Sequence, residues 1–187
     1  MPERILIEIA TTEGPATVRA VDYDPEARLS SMVLYDQNHV PVGVDAHFDA
    51  FDRKLRKHLA GLGFATPEGG AIVEIDRPID AGSSWQLGLA LVHAASSAGL
   101  LTTSEREATR VIWVTGAIGT SGWQTRAVEA VPRKIARRHA RYSAFIKRGV
   151  PVDVIVPEDN LAEAVNAAPE GVTLRTAGDL AVLIGQL

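Results

Sequence analysis

The sequence predicts an α+β or mixed α/β chain, and three observations lead there. Three β-prone segments crowd the first 36 residues. The apolar period then lengthens from two to between three and four. Beyond residue 70, short apolar runs of strand length alternate with helical patterns.

"ILIEIATT" (Ile5 to Thr12) and "ATVRAVDYD" (Ala16 to Asp24) alternate as strands do, and "LSSMVLYD" (Leu29 to Asp36) is a third β-prone run. Gly14-Pro15 and Asp24-Pro25 supply turn chemistry between them. An antiparallel meander is expected. In "DAHFDAFDRKLRKHLAGLG", Phe48, Phe51, Leu55, His58 and Leu59 recur at helical spacing, predicting an amphipathic helix that ends near Gly61 or Gly63.

"GAIVEIDRP" (Gly70 to Pro78) reads as a strand, and Ser84 to Ala95 as an apolar helix. "ATRVIWVTGAI" (Ala108 to Ile118) reads as a strand buried on both faces, followed by a glycine-punctuated turn. Val131 to Gly149 predicts one helix, with Pro132 near its first turn and Gly149 near its end. Its apolar stripe is Val131, Ile135, Tyr142 and Ile146. "PVDVIVPEDN" is a further strand, "LAEAVNAA" a short helix, "VTLRTA" an extended segment and "GDLAVLIGQL" a closing helix. The 187 residues, with no repeat or linker, suit a single domain over 1–187.

Composition narrows the function. Hydrophobic residues make up 46% and charged residues 22%, an ordinary globular balance. The net charge of −4 gives no overall basic signature, so nucleic acid is not the expected partner. Cysteine is absent, which removes disulfides and thiolate metal ligands. Charges in "MPERILIEIA" interrupt any signal-peptide core, and no apolar run reaches the ~20 residues that span a bilayer. A cytoplasmic protein outside the membrane is expected.

"GSSWQLGLALV" raises the chemical question. Ser83 and Ser84 meet a helix start, where unpaired amides collect. Either serine suits an N-cap. Either also suits a nucleophile, because helix-start amides can hold an oxyanion. The five histidines (His39, His47, His58, His93 and His139) show no metal-ligand spacing and no evident base for the serines. A lysine is the other route, since burial disfavours an ammonium ion and leaves a neutral base. Lys134, at the edge of an apolar stripe, is the candidate; it also fits a surface lysine with a buried stem. "TGAIGTSG" lacks the Gly-Lys-Ser/Thr ending of a phosphate-binding loop, so no ATPase motif and no cofactor are expected. Arg133, Arg137, Arg138 and Arg141 form a basic run, either a solvated face or a docking surface for an acidic partner.

Four pieces stand in order: Gly82-Ser83-Ser84 opening an apolar helix, "VTG" ending a buried strand, "AVPRKIARR" with a lysine in its first turn, and "VDVIVPEDN". Together they resemble the proteolytic domain of Lon proteases and their stand-alone Lon-like relatives. The resemblance covers nearly the whole chain, with specific motifs only after about residue 70. It implies a Lon-proteolytic-domain-like, ribosomal-protein domain-2-like fold. It also implies a Ser–Lys dyad: Ser84 as nucleophile, with Ser83 the alternative if the loop is one residue shorter, and Lys134 as general base. Thr115 then matches the threonine that orients the lysine, and Gly82 and Trp85 border the substrate groove. Unfolded or partner-delivered polypeptide is the implied substrate, and a homo-oligomer and a separate ATPase or regulatory partner the implied company.

The chain departs from that pattern at several positions. Ala81 stands for an aspartate, beside Asp80. Trp85-Gln86 replaces Ala-Gly, Ala117 a glutamate, and Glu129-Ala130 a Gly-Gly pair. The Ser84–Lys134 spacing is also longer, the excess falling in "HAASSAGLLTTSEREATR". The competing expectation is a catalytically inactive Lon-like domain serving as an oligomerising or partner-binding platform.

Overall fold

The computed structural model describes residues 2–11, 14–35, 47–79 and 82–187. The elements run β1 (Ile5–Ile9), β2 (Ala16–Asp24), β3 (Ser31–Leu34), α1 (Phe48–Gly61), β4 (Gly70–Ile75), α2 (Gln86–Ser97), β5 (Arg110–Val114), β6 (Ala117–Gly119), β7 (Gln124–Arg126), α3 (Val131–Ala136), α4 (His139–Lys147), β8 (Val152–Pro157), α5 (Leu161–Ala167), β9 (Val172–Ala177) and α6 (Leu180–Ile184). Among the described residues, seven strands form one mixed sheet in the order β3-β4-β2-β1-β5-β8-β9, and β6 and β7 form a separate hairpin. The fold is mixed α/β.

The expected meander is corrected. β1 and β2 pair antiparallel, but β2 then pairs with β4, and β3 lies outside β4 in a parallel pair. The strand start of β4 explains why it fits there. A Cβ on Gly69 would sit 2.1 Å from the Asp24 carbonyl oxygen, and one on Gly70 2.4 Å from that of Leu29. Gly69 also has φ +88°, a conformation that favours glycine. The glycine pair lets the chain thread between the end of β2 and the approach to β3.

β1 is central and buried on both faces. Ile5, Ile7 and Ile9 enter the core shared with α1, α2 and α6. Leu6 and Ala10 enter the second core, beneath α3, α4 and α5. Each fully buried aliphatic side chain of this kind contributes about 1.5–3 kcal/mol. Glu8 shares the second face and is completely buried. On β8, buried Asp153 takes charge-assisted hydrogen bonds from Arg110, the shorter at 2.5 Å, and forms an ion pair with Arg175 at 2.9 Å, tying together the three neighbouring strands.

The single helix expected over 131–149 is two, α3 and α4. The Arg138 amide bonds the Ile135 carbonyl at 2.9 Å, a tighter three-residue turn. The elbow turns Arg138 and Arg141 onto Glu8, at 3.3 and 2.6 Å. Among the described residues, no helix is long and apolar enough to cross a membrane.

Candidate active site

β5 ends at Val114, whose carbonyl accepts from the Ala10 amide at 2.9 Å. Thr115 follows, fully buried, with its amide donating to the Ile155 carbonyl at 3.1 Å. These bonds fix Thr115 in the middle of the sheet, at the carboxyl end of three parallel strands. Open α/β sheets place their ligand crevices at such ends.

Gly116 joins this strand end to the serine segment. Its amide donates to the Ser84 carbonyl at 2.9 Å, and its carbonyl accepts from the Leu87 amide at 3.0 Å. The Gln86 side chain adds a bond from the Ile118 amide at 2.8 Å. A Cβ on Gly116 would meet Leu87 Cδ2 at 2.8 Å and Pro157 Cγ at 3.0 Å, so the crossing has no room for a side chain.

The N-cap expectation for the serines is corrected. α2 begins at Gln86, its cap position is Trp85, and the Trp85 side chain makes no capping bond. The carbonyls of Ser83 and Gly116 take the first free amides. Among the described residues, the Ser84 and Trp85 amides donate to no other backbone carbonyl. Ser83 is exposed and Ser84 half-buried. Trp85 does not border the surface beside them. Its indole is 1% exposed, packed against Phe48 and edge-on to Phe51 at centroid distances of 5.3 and 5.4 Å. Its Nε1 donates to the Gly82 carbonyl at 2.6 Å. The indole buries its area in the core and holds the loop from below, leaving exposed Gly82 beside Ser83. Asp80, Ala81 and His39 lie outside the described residues.

Lys134 comes from α3 on the other side. Pro132 presets the first turn, and Ala130 enters it in the left-handed conformation, φ 61°. Lys134 is 4% exposed, and its Nζ donates to Thr115 Oγ1 at 3.3 Å. Two further contacts hold α3 in place. Buried Asn160 bonds both the amide and the carbonyl of Val128, at 2.9 and 3.0 Å, on the approach to α3. The Glu8–Arg138–Arg141 cluster holds its exit. The structure thus joins Lys134 to Thr115 directly, and Thr115 to Ser84 through Gly116.

The four arginines of the basic run do not share one surface. Arg133 and Arg137 are exposed, whereas Arg138 and Arg141 are drawn inward to Glu8. A buried carboxylate attracts guanidinium groups more strongly than water-exposed partners do. Burial pushes the Glu8 carboxyl up, against the pull of Arg138 and Arg141.

A second buried network lies under α2. His93 Nε2 meets Asp52 Oδ1 at 2.7 Å, and its Nδ1 meets the Tyr23 hydroxyl at 2.8 Å. Ser30 and Arg56 donate to Asp52 Oδ2 at 2.6 and 2.8 Å. Burial acts to raise the Asp52 carboxyl, but hydrogen bonds from His93 and Ser30 and the charge of Arg56 hold it below the usual range. Sequence reading passed over Asp52, Arg56 and Glu8, and gave Asn160, the end of "VDVIVPEDN", no role. A signal existed for the first two: they share the buried side of α1 with Phe48, Phe51, Leu55 and Leu59. Among the described residues, no cluster of three potential ligands could hold a metal.

No protein-family model matches the chain, and no curated protein matches it significantly.

Proposed function

We propose that the protein is a serine peptidase in which Ser84 and Lys134 act as a dyad on unfolded or partner-delivered polypeptide. The observation that carries this reading is the placement of Lys134. Its amine is buried and hydrogen-bonded to Thr115, and the next residue's amide holds the Ser84 backbone. A buried lysine in a first helical turn needs a reason, because an ammonium ion is costly to desolvate. A general base next to a nucleophile supplies one.

In this mechanism Lys134 Nζ takes the proton of Ser84 Oγ as that oxygen bonds to the scissile carbonyl carbon. The Ser84 and Trp85 amides receive the developing oxyanion. Lys134 returns the proton to the leaving amine as the C–N bond breaks. A water molecule then attacks the acyl-serine, giving its proton to Lys134, and the restored Ser84 hydroxyl takes that proton back. Thr115 keeps the amine aimed at the serine. The position of Ser84, one residue before the cap of α2, is consistent with this: the Gln86 and Leu87 amides bond the Ser83 and Gly116 carbonyls.

The test is labelling by a serine-directed phosphonylating probe, with peptide mapping, alongside casein hydrolysis. Labelling at Ser84, lost in Ser84→Ala and Lys134→Ala but kept in Ser83→Ala, is the expected result. Absence of both labelling and hydrolysis in the intact chain would leave the inactive, partner-binding platform as the better reading.

A further inference from the structure

The outer face of α1 carries charge and a groove that the dyad does not use. Between α1 and the β6–β7 hairpin lies a depression of about 500 Å³. Lys54 and Lys57 stand on one side, Leu62 at the end, and Trp123 on the hairpin side. His58 stacks on Trp123, with centroids 4.3 Å apart and planes 6° from parallel. Burial pushes the His58 imidazole down, and Lys54 and Lys57 are the cationic side chains of the groove. Neither Lys54 nor Lys57 has an acidic partner among the described residues, although the chain as a whole is acidic. The basic surface continues past Lys57 to Arg28 and Arg53, around a second depression whose acidic member is Glu68.

The hairpin links this groove to the dyad. β6 leaves directly from Thr115-Gly116, and the Trp123 amide bonds the Gly119 carbonyl at 2.7 Å. At roughly 3.3 Å per extended residue, β6 carries the chain about 10 Å from Gly116.

We infer that the α1–hairpin groove is a docking subsite for acidic polypeptide, taking a carboxylate on Lys54 and Lys57 and an adjacent apolar side chain against Leu62 and Trp123. This rests on the Ser84–Lys134 reading for its role in selecting substrates. Charge complementarity commits the occupant: a positive groove with an apolar floor, on a negatively charged chain, attracts acidic segments and repels basic ones. Single-stranded nucleic acid is disfavoured, because stacking needs a free aromatic face. One face of Trp123 is covered by His58, and the indole also packs against the core.

The experiment measures binding apart from chemistry. Full-length Ser84→Ala protein is titrated into a short labelled peptide rich in Glu and Leu. The same titration uses a counterpart with Lys in place of Glu, and a labelled single-stranded oligonucleotide. The Glu/Leu peptide should bind best, and more weakly as salt rises. Adding Lys54→Glu and Lys57→Glu should weaken it by about tenfold or more. Both substitutions fall on exposed positions, and a thermal melt verifies folding. Equal binding by the charge-reversed protein, no binding of the Glu/Leu peptide, or preference for the oligonucleotide would each overturn the inference. If Ser84 of the intact chain fails to label while the acidic peptide still docks, the peptidase reading falls and the groove stands. If Ser84 labels and the peptide does not dock, only the groove falls.

Discussion

Lys134, in the first turn of α3, and Thr115, just past β5 at the sheet end, meet as a buried pair, Nζ to Oγ1 at 3.3 Å. Replacing Thr115 by valine keeps the volume but removes the acceptor. Under the proposed mechanism Thr115 positions the base and does not touch substrate. A misaimed catalytic group lowers rate by up to about 100-fold. Thr115→Val should therefore lower kcat with little change in KM, whereas Lys134→Ala should remove turnover. Steady-state kinetics on an acidic peptide substrate separate the two. An unchanged kcat would show that Thr115 has no positioning role.

Ala130 adopts φ 61° and ψ 26° where the chain turns into α3. A side chain in that conformation costs about 1–2 kcal/mol. Glycine removes the strain but frees the unfolded chain, which returns about 0.4–1 kcal/mol. Ala130→Gly should therefore stabilise the protein, by roughly 0.5–1 kcal/mol. A urea midpoint that rises with unchanged slope is the expected readout. A lower midpoint would mean that the turn is not strained.

Periodicity made α1 legible, because it buries one face, while unbroken apolar runs marked α2 and β5, which are buried all round. Strand order was not legible in the same way. β4 enters between β2 and β3 through close backbone crossings at Gly69 and Gly70, which no hydrophobic pattern announces. The break between α3 and α4 was hidden for a related reason. Val131, Ile135 and Tyr142 keep a helical rhythm through it, while Arg138 and Arg141 answer to Glu8, more than a hundred residues earlier. Ser84, Thr115 and Lys134 were picked out by motif order. The Asn160 clamp on Val128 was not, since a bond to backbone leaves no trace in the partner's side chain.

Asp52 is the hub of the buried network under α2 and accepts from His93, Ser30 and Arg56. Removing one member of a buried ionic network costs about 3–5 kcal/mol. Asp52→Ala should lower stability at neutral pH by that amount. Its pH dependence has a definite sign. The folded carboxyl lies below its ordinary 3.8, so its contribution is present above 3.8 and is lost as pH falls through the folded value. The difference between wild type and Asp52→Ala should shrink in acid. Denaturant titrations at neutral and acid pH measure it, and a constant difference would sink the assignment.

Glu8 titrates in the opposite sense. Burial raises its carboxyl above the ordinary 4.5, while Arg138 and then Arg141 pull it down only in part. Between 4.5 and the raised folded value, the unfolded chain gives up its proton first. The folded state then holds more protons, so this group makes stability fall as pH rises through that window. Glutamine mimics the protonated carboxyl and cannot titrate. Whatever fixed offset Glu8→Gln brings, its stability relative to wild type should rise from pH 4 toward pH 7, about 1.4 kcal/mol for each unit of upward shift. Urea titrations of both proteins across that range read the slope. A relative stability that falls with pH would mean that Arg138 and Arg141 overcome the burial of Glu8. The cluster would then hold α3 and α4 over the sheet as an ionised pair.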